Sequence, residues 1–120
     1  MNKKEIAINF LKLAGLGDVK KGFDNYVSKN FKHHNQYFEG DRQSLLNAME
    51  DAHKTAPNTA IEIKQCFEEG NSVITHSLIC KNNMDIAVVH IFRIENGTIE
   101  ELWDIGQIID KKSPNKNGLF

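Results

Sequence analysis

Asp104 closes the run Thr98-Ile99-Glu100-Glu101-Leu102-Trp103-Asp104, which follows Val88-Val89-His90-Ile91-Phe92-Arg93-Ile94 across the dipeptide Asn96-Gly97. A carboxylate this deep in an apolar strand is costly unless it is hydrogen-bonded, neutralised or put to use. If its apolar surroundings lift its pKa towards neutrality, Asp104 can act as a general base. The structural alternative is a carboxylate held by Trp103, a tail amide or a helix terminus. Side chains of compatible chemistry lie upstream. His76 could polarise a carbonyl or donate to an oxyanion, or be a satisfied core histidine. Gln65 could orient the reacting groups. Asn35 could donate a hydrogen bond to a ligand, or fix its own turn.

Turn lengths allow these residues to be placed in register. Asn96-Gly97 is the strongest short-range hairpin signal, and Gly70-Asn71 and Asn82-Asn83 suit two-residue turns as well. Counting back from those turns puts Glu95 opposite Thr98, Lys81 opposite Met84 and Glu69 opposite Ser72. One row across the sheet then reads Gln65, His76, Val89, Asp104. Strands lie about 4.8 Å apart, so the backbones of His76 and Asp104 are about 10 Å from one another. A small ligand over Val89 could be addressed by both. Alternation gives this face Ile61, Ile63, Phe67, Ile74, Leu78, Ile91 and Leu102 as an apolar wall. The opposite face carries Val73, Thr75, Val88, His90, Phe92, Ile99 and Trp103. That face is too apolar for free solvent, which predicts a homodimer packed through this outer sheet face. A single β-bulge would move part of the row.

His34, Tyr37 and Trp103 complete the candidate ligand-binding residues, with Tyr37 at the pocket mouth. His33, His34, His76 and Asp104 have the donor types of a zinc or iron site. No metal-ligand spacing supports one, and adjacent histidines in an extended segment point to opposite sides, so no metal or cofactor is expected. There is no phosphate-binding loop, dinucleotide fingerprint or nucleophile elbow.

The elements that must position these residues divide the chain in two. Ile6, Phe10, Leu13 and Ala14, widened by Ala7 and Leu11, recur at helical spacing until Gly15 and Gly17. Asp18 can cap a second helix with Phe23, Tyr26 and Val27 on its apolar side. Residues 31–40 have no clear period and read as a short extended segment plus loop. Asp41 caps a third helix burying Leu45, Leu46, Met49 and Ala52, which ends near Pro57. Strands are predicted over 61–69, 72–81, 84–95 and 98–108. Helices segregated from an antiparallel meander define an α+β domain. Residues 1–120 read as one domain, with an irregular tail over 110–120 whose Leu119 and Phe120 should dock on something apolar.

Composition bounds the function. A net charge of -1 with scattered lysine pairs argues against nucleic acid or an anionic membrane as partner. No stretch approaches the ~20 apolar residues of a membrane span. Glu5, Asn9 and Lys12 interrupt any signal-peptide core. Cys66 and Cys80 fall in separate strands and read as reduced thiols of a cytoplasmic protein.

With these features placed, the chain resembles a SnoaL-like, polyketide cyclase-like member of the nuclear transport factor 2-like superfamily. The resemblance covers nearly the whole length. It is carried by His34-Asn35 with Tyr37-Phe38, by the run 88–94, by Glu95-Asn96-Gly97, by Glu101-Leu102-Trp103-Asp104, and by the tail Ser113-Pro114-Asn115-Lys116-Asn117-Gly118-Leu119-Phe120. That tail is similar to a bacterial branch described as predicted aldol-condensation enzymes. The resemblance implies a cone: a curved antiparallel sheet, four main strands plus a short segment, wrapping three helices, with a pocket inside and a dimer outside. It also implies that an aspartate at the position of Asp104 removes an acidic C–H proton while polar neighbours hold the enolate. Two positions depart from the branch: His90 stands where an acidic residue is common, and Leu102 where histidine is.

Two functions are therefore expected. One is a cofactor-free cyclase, isomerase or aldol-type enzyme. Asp104 would be its base, His76 and Asn35 would hold the enolate, and Gln65 would orient. The other is a non-catalytic dimer that binds a small apolar ligand.

Overall fold

A computed structural model describes residues 1–120. Helix α1 (Lys3–Gly15) begins at Asn2, whose side chain accepts from the Glu5 amide at 2.8 Å and donates to the Glu5 carboxylate at 2.7 Å. The first of these bonds satisfies one orphan backbone donor of the first turn. Helix α2 spans Val19–Tyr26, with Asp18 at its N-cap position but no side-chain cap bond. Strand β1 (Val27–His34) follows directly. Helix α3 (Arg42–Thr55) is capped by Asp41, which accepts from the Ser44 amide at 3.0 Å and its hydroxyl at 2.6 Å. Strands β2 (Asn58–Glu69), β3 (Ser72–Lys81), β4 (Asp85–Glu95) and β5 (Thr98–Ile108) complete the chain. After Ile108 the tail forms neither helix nor strand.

The α+β architecture is as expected, with a five-stranded sheet that does not close, in the order β1-β5-β4-β3-β2. β2 to β5 form the antiparallel meander, while β1 adds to β5 in parallel, so the sheet is mixed. Asn96 and Gly97 both have positive φ, 52° and 78°. That conformation matches the twist of a tight hairpin and explains the dipeptide. The helices cover one face of the sheet. Phe10 of α1 meets Phe23 of α2 edge-on at 5.4 Å between centroids, and meets Phe92 of β4 at 6.4 Å. Gly22 lets α1 and α2 approach: a Cβ there would lie 3.1 Å from that of Ala14.

Two β-bulges correct the expected register. Ile94 pairs with Ile99, but Arg93 pairs with Glu101, leaving Glu100 as the extra residue. The partner of Asp104 is therefore His90, not Val89. A second shift between Ile63 and Gln65 leaves Lys64 unpaired in β2. The β3–β4 register is as expected, with His76 opposite Val89.

The bulges redistribute the faces. Val73, Thr75, Phe92, Ile94 and Ile99 are fully buried under the protein's own helices. They are its core, not the dimer surface the alternation predicts. Leu102 and Asp104 join that inner face. Phe67 and Ile74 instead face outward, 57% and 38% exposed. The tail returns across this outer face and sets Phe120 over His76, 4.7 Å between ring centroids, as the apolar C-terminus predicts.

Candidate functional site

Between the inner face of the sheet, α1, α3 and the loop after β1 lies a cavity of about 820 Å³. Phe10, Leu45, Met49, Ile61, Val88 and Leu102 give it a largely apolar lining. Asn35, His90 and Asp104 face it as a polar group. The size falls within the usual range for small-molecule sites, and an apolar wall with a few convergent polar groups is their common composition.

The polar group is built from two strands, β4 and β5, and the turn after β1. Pairing aligns Cys66, Thr75, His90 and Asp104 in one row across β2, β3, β4 and β5. At the far side of Asp104, His34 pairs with Trp103, so the chain leaves β1 at Asn35 beside the carboxylate. Asn35 Nδ2 donates to Asp104 Oδ2 at 3.3 Å, while Asn35 Oδ1 accepts from the Tyr37 amide at 2.7 Å. Asn35 thus both fixes its own turn and holds the aspartate. The other carboxylate oxygen, Oδ1, lies 3.9 Å from His90 Nε2.

The electrostatics are set by burial. His90 is 7% exposed, and burial pushes its pKa below the ordinary histidine value against the opposing pull of Asp104. Its Nδ1 is buried without a partner, and so is the hydroxyl of Thr75 on the adjacent strand. His33 is also buried, with neither ring nitrogen bonded. Burial lowers its pKa, Asp104 opposes that, and His34 and His90 add to it. One carboxylate is therefore flanked by two imidazoles that stay neutral at neutral pH. No group of three or more His, Cys, Asp or Glu side chains is arranged to hold a metal ion.

Of the residues expected to share one site, Asp104, Asn35 and Tyr37 line the cavity, with Tyr37 73% exposed at its mouth. Five others do not. His76, Gln65 and Val89 lie on the outer face, because the bulge at Glu100 turns Asp104 away from them. His34 and Trp103 stack on each other outside the cavity, ring planes 5° apart and centroids 4.8 Å apart. His34 Nε2 also meets Glu101 Oε2 at 2.6 Å, and that hydrogen bond, with Arg93 beyond it, holds the Glu101 carboxyl below its usual range.

His90 is the site residue that strict alternation hides. The signal for it is in the sequence. Ile99 and Leu102 are both apolar but separated by two glutamates, so strict period two can bury only one of them. A bulge buries both, and carries Asp104 to the same face as His90.

No protein-family model matches the chain, and no curated protein matches it. Solved structures do. An NTF2-like protein of unknown function from Cytophaga hutchinsonii is 20% identical, with a TM-score of 0.71, covering 89% of this chain and 91% of that one. IdmH from Streptomyces antibioticus, a candidate polyketide cyclase, is 12% identical at a TM-score of 0.78, covering 89% and 93%. A candidate ketosteroid isomerase from Kribbella flavida is 10% identical at 0.73, covering 95% and 84%. The chain has the nuclear transport factor 2-like cone fold that these proteins share.

Proposed function

We propose that this protein is a small-molecule enzyme of the cyclase, isomerase or aldol type, in which Asp104 removes a proton from a carbon beside a carbonyl. The observation that carries the reading is the pairing of Asp104 Oδ1 with His90 Nε2, 3.9 Å apart at the wall of an apolar cavity. That gap is too long for a direct hydrogen bond. It suits two neighbouring substrate atoms, the acidic carbon at Asp104 and the carbonyl oxygen at His90. The C–H electron pair becomes the enolate double bond, and the proton passes to the carboxylate. Negative charge gathers on the oxygen, where a neutral imidazole N–H can hold it. His90 takes the role that the sequence alone gives to His76. Asn35 keeps one carboxylate oxygen occupied and so aims the other. The enolate carbon then regains the proton elsewhere, or attacks an electrophilic carbonyl of the same or a second molecule.

The fold neighbours include proteins described as candidates for this chemistry, which supports the reading. The largely apolar lining favours a second reading, a binding protein that holds an apolar ligand without reacting it. Hydrogen exchange separates the two. The protein is incubated in heavy water with apolar cyclic ketones of graded size, and deuterium uptake beside the carbonyl is followed by mass spectrometry. General-base catalysis typically contributes 10²–10⁴-fold, so Asp104→Asn should slow uptake by at least about a hundredfold. Uptake that Asp104→Asn leaves unchanged refutes the base.

The same proposal includes a homodimer. The outward Phe67 and Ile74, in the row that Trp103 continues, form the apolar surface that a second copy would cover. Location in the cytoplasm is supported by Cys66 and Cys80, which are free thiols. No helix is long and apolar enough to cross a membrane.

A further inference from the structure

The cavity has a second polar end that the Asp104 chemistry does not use. Along β3 the inward positions after Thr75 are Ser77, Ile79 and Lys81. Lys81 therefore lies six residues from the row that holds His90 and Asp104. At about 3.3 Å per residue the two levels are roughly 20 Å apart along the strand. Lys81 lines the cavity together with Asn58, its partner across β2 and β3.

Neither side chain is fully satisfied by the protein. Lys81 Nζ donates to the carbonyl of Ala56, the residue that closes α3, at 2.6 Å. This uses one of its three donors. No carboxylate pairs with it. Burial already lowers its pKa from the ordinary lysine value, which is the cost of holding an ammonium in a half-buried place without a counter-charge. Asn58 Nδ2 donates to the Gly15 carbonyl at 2.7 Å, but Asn58 Oδ1 is buried and unpartnered. Helix capping accounts for one N–H of Lys81. It does not account for the other two.

The charges fix a polarity. An anionic carboxylate stands at one end of the cavity and a cation without an anion at the other. The apolar side chains of Ile61, Ile79 and Ile86 lie on the wall near Lys81. An acid entering this cavity is repelled by Asp104 and drawn to Lys81.

We infer that the natural ligand is an elongated apolar acid, whose carboxylate seats on Lys81 and whose body runs along the sheet towards Asp104. The inference deepens the proton-transfer reading by naming its substrate class. The anchor itself is a matter of binding, and binding can be measured whether or not Asp104 is a base.

Decanoate and decanol serve as probes, titrated calorimetrically at neutral pH. They share a chain and differ in charge. One charge-assisted hydrogen bond in a partly desolvated site predicts that decanoate binds about tenfold more tightly than decanol. Lys81→Met should abolish that preference, and a circular dichroism spectrum and urea midpoint close to those of wild type show that the variant folds. Lys81→Arg should retain the preference. Equal affinity for the two probes in wild type overturns the inference, as does a preference for the acid that survives in Lys81→Met. If Lys81→Met does not fold, a crystal structure of wild type with decanoate decides. A carboxylate on Lys81 supports the anchor, and a carboxylate elsewhere or no bound decanoate overturns it. Loss of ketone exchange in Asp104→Asn bears only on the base, so the two readings fail separately.

Discussion

Deleting Glu100 should leave the fold and the site intact, which is an unusual expectation for a residue in the middle of a strand. Removing one residue from a regular strand sends every later side chain to the opposite face. In β5, however, Glu100 is the residue that has no opposite number in β4. Without it Ile99, Glu101 and Leu102 become consecutive, and regular alternation then places them inward, outward and inward, as they already are. The identified loss is the hydrogen bond from the Thr98 hydroxyl to the Glu100 carboxylate at 2.7 Å. Such a bond contributes about 0.5–1.5 kcal/mol net. If β5 instead ran in strict register, the deletion would expose Ile99 or Leu102 and invert Trp103 and Asp104. Each apolar side chain so moved costs about 1.5–3 kcal/mol, enough with the displaced charge to unfold a domain of ordinary stability. The assay is urea unfolding followed by Trp103 fluorescence. With a slope of about 1–3 kcal/mol per molar urea, the midpoint should fall by about 0.2–1.5 M, with cooperative unfolding retained. Deletion of Val89, in a stretch of β4 with no bulge to absorb it, should abolish cooperative unfolding. A Glu100 deletion that behaves like the Val89 deletion refutes the assignment of faces, and with it the pairing of Asp104 and His90.

Other expectations follow from the same structure. His33 and His90 have folded-state pKa values below the ordinary histidine value because both are buried. The unfolded chain binds their protons first as pH falls, so their contribution is present above about 6.5 and is lost below it. The unfolding free energy from urea titrations should decline between pH 7 and 5 by at most about 1.4 kcal/mol per pH unit for each histidine, and His33→Leu should flatten that decline. An equally steep decline in the variant would clear His33 of the effect. Removing Phe120 takes away its contact with the His76 ring and should cost about 0.5–1.5 kcal/mol, read as a small drop in melting temperature. In sedimentation the wild type should be a dimer at micromolar concentrations and Ile74→Lys a monomer. A wild-type monomer would rule out the outer face as a self-interface.

The elements themselves were legible because local signals govern them. Helical spacing in residues 6–14, the cap at Asp41, and three two-residue turns each act over a few neighbours; of the two expected caps, Asp18 makes no side-chain bond. The ends of β2 to β5 differ from the expected ones by at most three residues, at Asn58, whereas β1 starts at Val27, four residues before the extended segment expected from Phe31, and takes Val27 from the expected second helix. Parallel addition of β1 was not legible. It depends on where α3 packs, which no nearby residue announces. Nor could alternation say which face of the sheet meets the helices, because both carry large apolar side chains. Phe92 and Ile94 lie on one, and Phe67, Ile74 and Ile91 on the other.

The site was half legible for a related reason. Asp104 and Asn35 stand out as polar groups in contexts that demand an explanation, and the cavity brings them within 3.3 Å. His76 and His90 are equivalent by every local measure: each is a histidine at the centre of an apolar strand. What separates them is one extra residue in β5, which decides whether the carboxylate shares a face with one or the other. The consequence is chemical as well as geometric. Beside His76, on the outer face, Asp104 would meet solvent or a partner subunit. Beside His90 it faces an imidazole in a largely apolar cavity, the arrangement on which the proposed proton transfer rests. The two glutamates that force the bulge therefore do more to define this site than any residue that touches the cavity.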